Sequence, residues 1–271
     1  SSSKSLEIPA KIENLIDGWC CETPKLVNIS LSLYNIHFIL YENNVILGKQ
    51  CLSRENYETL CFAKRNIDKI SIPSYITSIS PYAFENCKLL KKVVFESNSK
   101  LKIIKKNTFS NSGIYTIKIP YSVYKIEENA FQNAFNLRNI IFFKNSNLKI
   151  IGKKAFWNSG IKSICLPANV TKIEESAFSN CIKLNSIDFE NDSKLRIIDN
   201  CAFSNTAITS ISIPPSVVDI KNNAFKECGK LVCIEITEKS ELCSIQFCML
   251  INNKALTLFI PHHLLQSLKY L

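Results

Sequence analysis

The chain has 271 residues, 46% of them apolar and 21% charged, with a formal net charge of +10. That is the composition of a folded protein, and no stretch approaches the roughly 18 consecutive apolar residues of a membrane-spanning helix. Its six glycines leave no G-x-G-x-x-G or P-loop spacing to cradle a phosphate, and its 33 Lys and Arg are spread through the chain without a basic run, so nucleotide and nucleic-acid binding are not expected.

Taken from the start, residues 6–31 (LEIPAKIENLIDGWCCETPKLVNISL) carry an Ile-Pro pair, spaced aliphatics, Trp19-Cys20 and a closing Leu-x-x-Ile-x-Leu, and so read as one irregular coil of a repeat. Two apolar runs at 37–49 flank Glu42-Asn43-Asn44, which predicts a β-hairpin. Residues 1–66 are therefore expected to act as a cap over the end of the array that follows.

From residue 67 to 261 the repeat is regular. Ile-Pro or Leu-Pro pairs end at Pro73, Pro120, Pro167, Pro214 and Pro261, each 47 residues after the last, and Phe84, Phe109, Phe131, Phe156, Phe178, Phe203 and Phe225 alternate spacings of 25 and 22. Each 47-residue unit thus holds two similar halves, and the coil is 23 or 24 residues long. Nine segments have the form L/I-x-x-I-x-I/F, the first at Ile67-Ile70-Ile72 and the last at Ala255-Leu258-Ile260. Their final alternation is a strand signal, and strands recurring once per coil stack as a parallel sheet. Parallel strands cannot be joined by a tight hairpin, so the remaining residues of each coil must form a return path. That path is expected to contain a short helical or 3-10 segment carrying the Ala-Phe pair.

The architecture so predicted is an α/β solenoid. Pro closes every other strand, where its missing N–H costs no further ladder bond. A column two residues past each Phe (Asn86, Asn111, Asn133, Asn158, Asn180, Asn205, Glu227, Asn252) predicts an asparagine ladder, and the small residues after it, from Cys87 to Asn253, suit a narrow buried turn. The twelve cysteines lack same-column neighbours in the regular array, so mostly free thiols are expected. No C-x-x-C occurs, and His262-His263 have no ligand at metal spacing; neither a metal nor another cofactor is predicted. The tail at 262–271 shows no polar cap, and the array is expected to continue in a longer parent.

The units IPxxVxxIxxxAFxxCxxLxxI, as at 119–142 and 166–189, and their Leu-first partners resemble the BspA-like leucine-rich repeats, and GWC-x₃-PKL at 18–26 resembles their trichomonad branch. The resemblance implies a right-handed curved solenoid with its parallel sheet on the concave face. It also implies a non-enzymatic role in adhesion or protein recognition, as a surface antigen of a parasite, and a place at the cell surface or in secretion. A cytoplasmic scaffold with reduced cysteines is the alternative. If the sheet is the binding face, its outward residues are Lys91, Lys92, Tyr115, Lys118, Arg138, Asn139, Ile141, Lys162 and Asp188, basic in the first half and acidic in the second. An acidic protein segment anchored on Tyr115 and Arg138 is the expected partner, since these residue types are enriched at binding hot spots. Glu127-Glu128 and Glu174-Glu175 occupy equivalent repeat positions and read as helix-start residues rather than catalytic pairs.

Overall fold

The computed structural model describes residues 3–49, 56–243, 257–259 and 261–265. All nine predicted segments contribute a strand to one side of a solenoid: Lys69–Ile72, Lys92–Phe95, Thr116–Ile119, Asn139–Phe142, Ser163–Leu166, Ser186–Phe189, Ser210–Ile213, Cys233–Ile236 and Thr257–Phe259. We call these the long strands. Wherever neighbours pair they are parallel and in register, so that Ile117 faces Ile140 and Ile164 faces Ile187. These residues and their equivalents from Ile70 to Ile234 are buried, because alternate side chains of a strand point to the same face and that face meets the core.

The core of the regular array is one continuous spine, beside a second cluster at the start of the chain that includes Ile8, Cys20, Leu26 and Phe62. Phe84, Phe109, Phe131, Phe156, Phe178, Phe203 and Phe225 stack in a single file, with ring centroids 5.1–5.7 Å apart and planes within 15° of parallel. The spacing follows from one coil lying on the next at strand distance, about 4.8 Å, while the rings offset slightly to avoid a face-to-face sandwich.

The return path differs from the expected helix. Among the described residues the only helix is His262–Leu265. In the coil at 80–87 the N–H groups of Ala83, Glu85 and Cys87 bond back three residues, to Ser80, Tyr82 and Phe84, at 3.0–3.2 Å. The alternate N–H groups of Tyr82, Phe84 and Asn86 instead bond Lys106, Thr108 and Ser110 of the next coil at 2.9–3.2 Å. A helix would commit all of these donors internally, and Tyr82 and Asn86 have left-handed backbone (φ 63° and 59°) that a helix cannot contain. The segment is therefore a run of turns that also ties coil to coil.

A second, narrower ladder precedes it. Residue pairs Ile103–Ile104, Lys125–Ile126, Ile150–Ile151, Lys172–Ile173, Ile197–Ile198 and Asp219–Ile220 form a six-stranded parallel sheet, built from the spaced aliphatics of each unit. It is reached from the long strands by two kinds of turn that alternate. After Pro73, Pro120, Pro167 and Pro214 the turn is short, the proline carbonyl accepting from the N–H three residues on at 3.0–3.1 Å. In the other halves the turn is longer and passes through left-handed Asn98, Asn145 or Asp192. Short and long turns interlock: Ser122 Oγ donates to Ser99 O and Leu101 O at 2.8 and 2.7 Å, Asn169 Nδ2 to Ser146 O at 2.9 Å, and Ser216 Oγ to Ser193 O at 2.8 Å.

At the start of the chain Ser5–Ile8 pairs in parallel with Asn28–Leu31, one coil later. Phe38–Tyr41 and Val45–Gly48 then form an antiparallel hairpin joined by the three residues Glu42-Asn43-Asn44; Glu42 and Asn43 both have positive φ (47° and 53°), and the Asn44 N–H donates to Tyr41 O at 3.0 Å. Val45–Gly48 pairs on with Thr59–Ala63, which passes in parallel to Ser78–Ile79 of the array. Arg65 seals this junction. Its guanidinium is buried, stacks on Phe62 at 4.3 Å, and donates to Ala83 O at 2.8 Å and Cys20 O at 3.1 Å.

The asparagine column is partly a side-chain ladder and wholly a backbone requirement. Asn133 Nδ2 donates to Asn111 Oδ1 at 3.1 Å, Asn158 to Asn133 at 2.9 Å and Asn205 to Asn180 at 2.7 Å. Every described member, Glu227 included, has φ between 55° and 61°, a region asparagine tolerates better than most residues. The small-residue column is buried as expected; Cys181 Sγ lies 3.3 Å from Ser159 Oγ and donates to Phe156 O at 3.0 Å. The ten described cysteines are free thiols. Cys51, Cys248, Asn252, Asn253 and the ends of the ninth segment, Ala255 and Ile260, lie outside the described residues.

Candidate protein-binding face

The outward residues of the long strands fall on successive rungs. Backbone bonds run from Lys91 N to Asp68 O, Tyr115 N to Lys91 O, Arg138 N to Tyr115 O, Lys162 N to Arg138 O and Asn185 N to Lys162 O, so Lys91, Tyr115, Arg138 and Lys162 are consecutive neighbours. Lys92, Thr116 and Asn139 are paired in the next column, and Lys118 faces Ile141 in the one beyond. Tyr115 and Ile141 are exposed, 54% and 44%.

The first rungs form a hollow of about 800 Å³ lined by Lys91, Lys92, Val94, Tyr115, Lys118, Tyr121 and Phe143. Lys118 Nζ lies 4.1 Å from the Phe143 ring centroid and the Arg138 guanidinium 6.0 Å from that of Tyr115, cation–π arrangements that hold the long basic side chains beside apolar surface. Of the residues singled out in sequence, Lys91, Lys92, Tyr115 and Lys118 line this hollow. Arg138 borders it through Tyr115, while Asn139, Ile141 and Lys162 continue the same face on adjoining rungs. Asp188 is elsewhere, in a second, more polar hollow with Glu190 and Ser212, where it accepts from Ser186 Oγ at 2.9 Å.

Tyr121 and Phe143 escaped the sequence reading, although the repeat itself carries their signal. The positions equivalent to Tyr121 hold Ser74, Ala168 and Pro215, and those equivalent to Phe143 hold Glu96, Glu190 and Thr237. Glu96 accepts the N–H of Ser74 and Glu190 that of Ala168, each at 3.0 Å. In the coil at 119–143 this carboxylate clamp is replaced by an exposed phenylalanine, and the residue it would clamp is an exposed tyrosine.

Cys165 faces Asp188 on the adjoining strand, and partial burial, followed by the charges of Glu190 and Asp188, pushes its thiol up, away from the thiolate that nucleophilic chemistry needs. The paired glutamates do not start helices. Glu127 Oε2 accepts the Lys106 N–H and Glu174 Oε2 the Lys153 N–H, each at 3.0 Å, while Glu128 and Glu175 pair with the same two lysine side chains at 3.0 and 2.9 Å. They clamp one coil to the next. Among the described residues no three His, Cys, Asp or Glu side chains are grouped to hold a metal ion, and no helix is long and apolar enough to cross a membrane.

A family model for the BspA type leucine rich repeat region matches residues 55–181 and 149–269, in six copies. No curated protein matches the chain. Among solved structures, a leucine-rich repeat protein from Eubacterium ventriosum is similar at a TM-score of 0.68 and 23% identity, over 83% of this chain and 58% of its own. The pneumococcal vaccine antigen PcpA is similar at a TM-score of 0.50 and 18% identity, over 97% of this chain and 67% of its own. At these identities the likeness is one of fold.

Proposed function

We propose that this chain, which belongs to the BspA-type leucine-rich repeat family, is a protein-recognition module without catalytic activity, an adhesin or surface antigen that binds a host or matrix protein through the long-strand face. The observation that carries the reading is that, of the two units lacking the glutamate clamp, one fills both positions with exposed aromatics: Tyr121 and Phe143 stand where the neighbouring units hold a small residue and a structural glutamate, next to Tyr115, Lys91 and Lys118. Exchanging a backbone clamp for two exposed aromatics gives up a hydrogen bond of the repeat, whereas aromatics among cationic side chains are what a protein interface with an acidic, partly apolar segment uses. Arg138, Asn139, Ile141 and Lys162 extend that surface; Asp188 and Glu190 mark its acidic end. That a fold neighbour is named as a vaccine antigen fits a surface address.

The test restores the repeat. The double substitution Tyr121→Ser, Phe143→Glu returns the coil to the pattern of its neighbours and is expected to fold at least as stably. The chain, this variant and Lys118→Glu/Arg138→Glu are compared for binding to a panel of purified extracellular-matrix and plasma proteins by surface plasmon resonance. A partner bound by the native chain and lost in both variants supports the reading, whereas undiminished binding by both removes the face from it.

A second reading, an intracellular scaffold, is favoured by three exposed free thiols, Cys21, Cys165 and Cys243, since such groups persist best in a reducing compartment. Antibody labelling of intact cells supports the first reading, and labelling only after permeabilisation the second.

A further inference from the structure

The short-strand sheet carries an exposed row of its own. Backbone bonds place Lys102, Tyr124, Lys149, Thr171 and Arg196 on successive rungs: Tyr124 N bonds Lys102 O, Lys149 N bonds Tyr124 O, Thr171 N bonds Lys149 O and Arg196 N bonds Thr171 O, at 2.8–2.9 Å. Where this column holds Tyr124 or Thr171, the next residue of the strand is Lys125 or Lys172, in register with Ile103, Ile150 and Ile197 of the adjoining coils. The result is one cation per coil over five coils, a zigzag row about 19 Å long at about 4.8 Å per rung. In sequence these cations are 23 or 24 residues apart, which is why no basic run announces them.

Part of the row is unpaired. Among the described residues no carboxylate lies within ion-pair distance of Lys102, Lys125 or Lys149, whereas Lys172 is 3.6 Å from Asp199 and Arg196 is bound to Glu241. Glu127 and Glu128, which follow Lys125 in the same coil, are engaged by the Lys106 N–H and the Lys106 ammonium. The cations stand diagonally on neighbouring rungs, with Ile103, Tyr124 and Ile150 directly between them in register.

We propose that this row binds a linear sulfated polysaccharide laid along the solenoid axis. A row on an open surface reads charge at a fixed spacing more than it reads shape. Four of its five cations are lysine, a point charge suited to scattered sulfates, rather than arginine, whose fork favours bidentate carboxylate or phosphate contacts. Tyr124 is its one exposed large side chain, enough to cover a sugar ring, whereas a single-stranded nucleic acid calls for successive stacking platforms and a membrane surface for an apolar stripe. The site lies on a different sheet from the proposed protein-binding face, so either can fail without the other.

Isothermal titration of the whole chain at low salt compares a size-defined heparin oligosaccharide, its desulfated form, a single-stranded oligodeoxynucleotide of equal charge, and vesicles of phosphatidylcholine with phosphatidylserine. Binding is expected for the sulfated sugar alone among the four at matched concentration. Lys102→Gln/Lys125→Gln/Lys149→Gln should weaken it at least about tenfold and lower the salt slope by about one per lysine removed. Lys88→Gln/Lys183→Gln/Lys230→Gln, three exposed lysines outside both faces, should leave it unchanged. No binding to the sulfated sugar, equal binding of the oligonucleotide or vesicles, or equal loss in the two triple variants overturns the proposal.

Discussion

Replacing Phe156 with alanine probes the ring file at its centre. The side chain is fully buried, and its ring lies 5.1 Å from both Phe131 and Phe178, at 8° and 10°. Removing a buried phenylalanine side chain costs about 3–5 kcal/mol, the lower values where the surroundings collapse into the space. Collapse is resisted here, because Phe131 N–H to Ala155 O at 2.7 Å and Phe156 N–H to Ala177 O at 2.8 Å hold the coils at a fixed spacing. Two ring pairs, each contributing about 0.5–1.5 kcal/mol, are lost as well, which puts the expected cost near the top of the range, about 4–5 kcal/mol. Urea unfolding followed by far-UV circular dichroism measures it, with Phe156→Leu expected to cost about half as much and the exposed Phe143→Ala within about 0.5 kcal/mol of native. Each coil contacts only its neighbours, so the alanine variant should also unfold over a broader range as the two halves of the array uncouple. A cost below about 1 kcal/mol, or equal costs at Phe156 and Phe143, would refute the idea that stacked rings hold the coils together.

Asn133→Ala should lose about 2–3 kcal/mol, from two ladder hydrogen bonds and a left-handed φ of 55°. Asn133→Gly, measured in the same unfolding assay, should recover about 1 kcal/mol by removing the backbone penalty alone. Gly113→Ala places a Cβ 2.0 Å from the Lys88 carbonyl oxygen and should cost at least about 2 kcal/mol, whereas Gly229→Ala meets nothing within 4 Å and should be neutral or slightly stabilising on thermal unfolding. Burial pushes the Cys181 thiol from 9.0 up to about 11. The unfolded chain therefore releases this proton first, and the stabilisation, complete below pH 9, is lost as pH rises towards 11, by up to about 1.4 kcal/mol per unit. Stability measured across that window should fall less steeply in Cys181→Ala, alanine being the residue at the equivalent Ala134.

The long strands, the phenylalanine file and the role of the recurrent prolines could be read from spacing, because each depends on one residue type at one position per coil. The return path could not. Its left-handed positions two residues before each Phe are Tyr82, Asn107, Asn129, Lys154, Ser176, Cys201 and Asn223, a mixture without a compositional signature, and what forbids a helix there is hydrogen bonding to a coil more than twenty residues away. The two-residue strands are too short to show alternation. Tyr121 and Phe143 were hidden for the opposite reason: each is unremarkable alone and becomes visible only against the residues that the repeat places there in other coils. The lysine row and the buried Arg65 depend on which coils adjoin, and the sequence order conceals it.

The alternation of interlocked turns limits how such a protein can change its length. In the short turns after Pro120, Pro167 and Pro214 a seryl or asparaginyl side chain holds one or two carbonyls of the long turn before it, so two coils of the same kind set side by side would leave those carbonyls without their donor. Gain or loss of a single coil by gene duplication or deletion is thus penalised at the new seam, while an exchange of a whole 47-residue pair leaves every seam as it was. Natural lengthening or shortening should therefore proceed in even steps, and a shortened version made by excising residues 120–166 should keep its register.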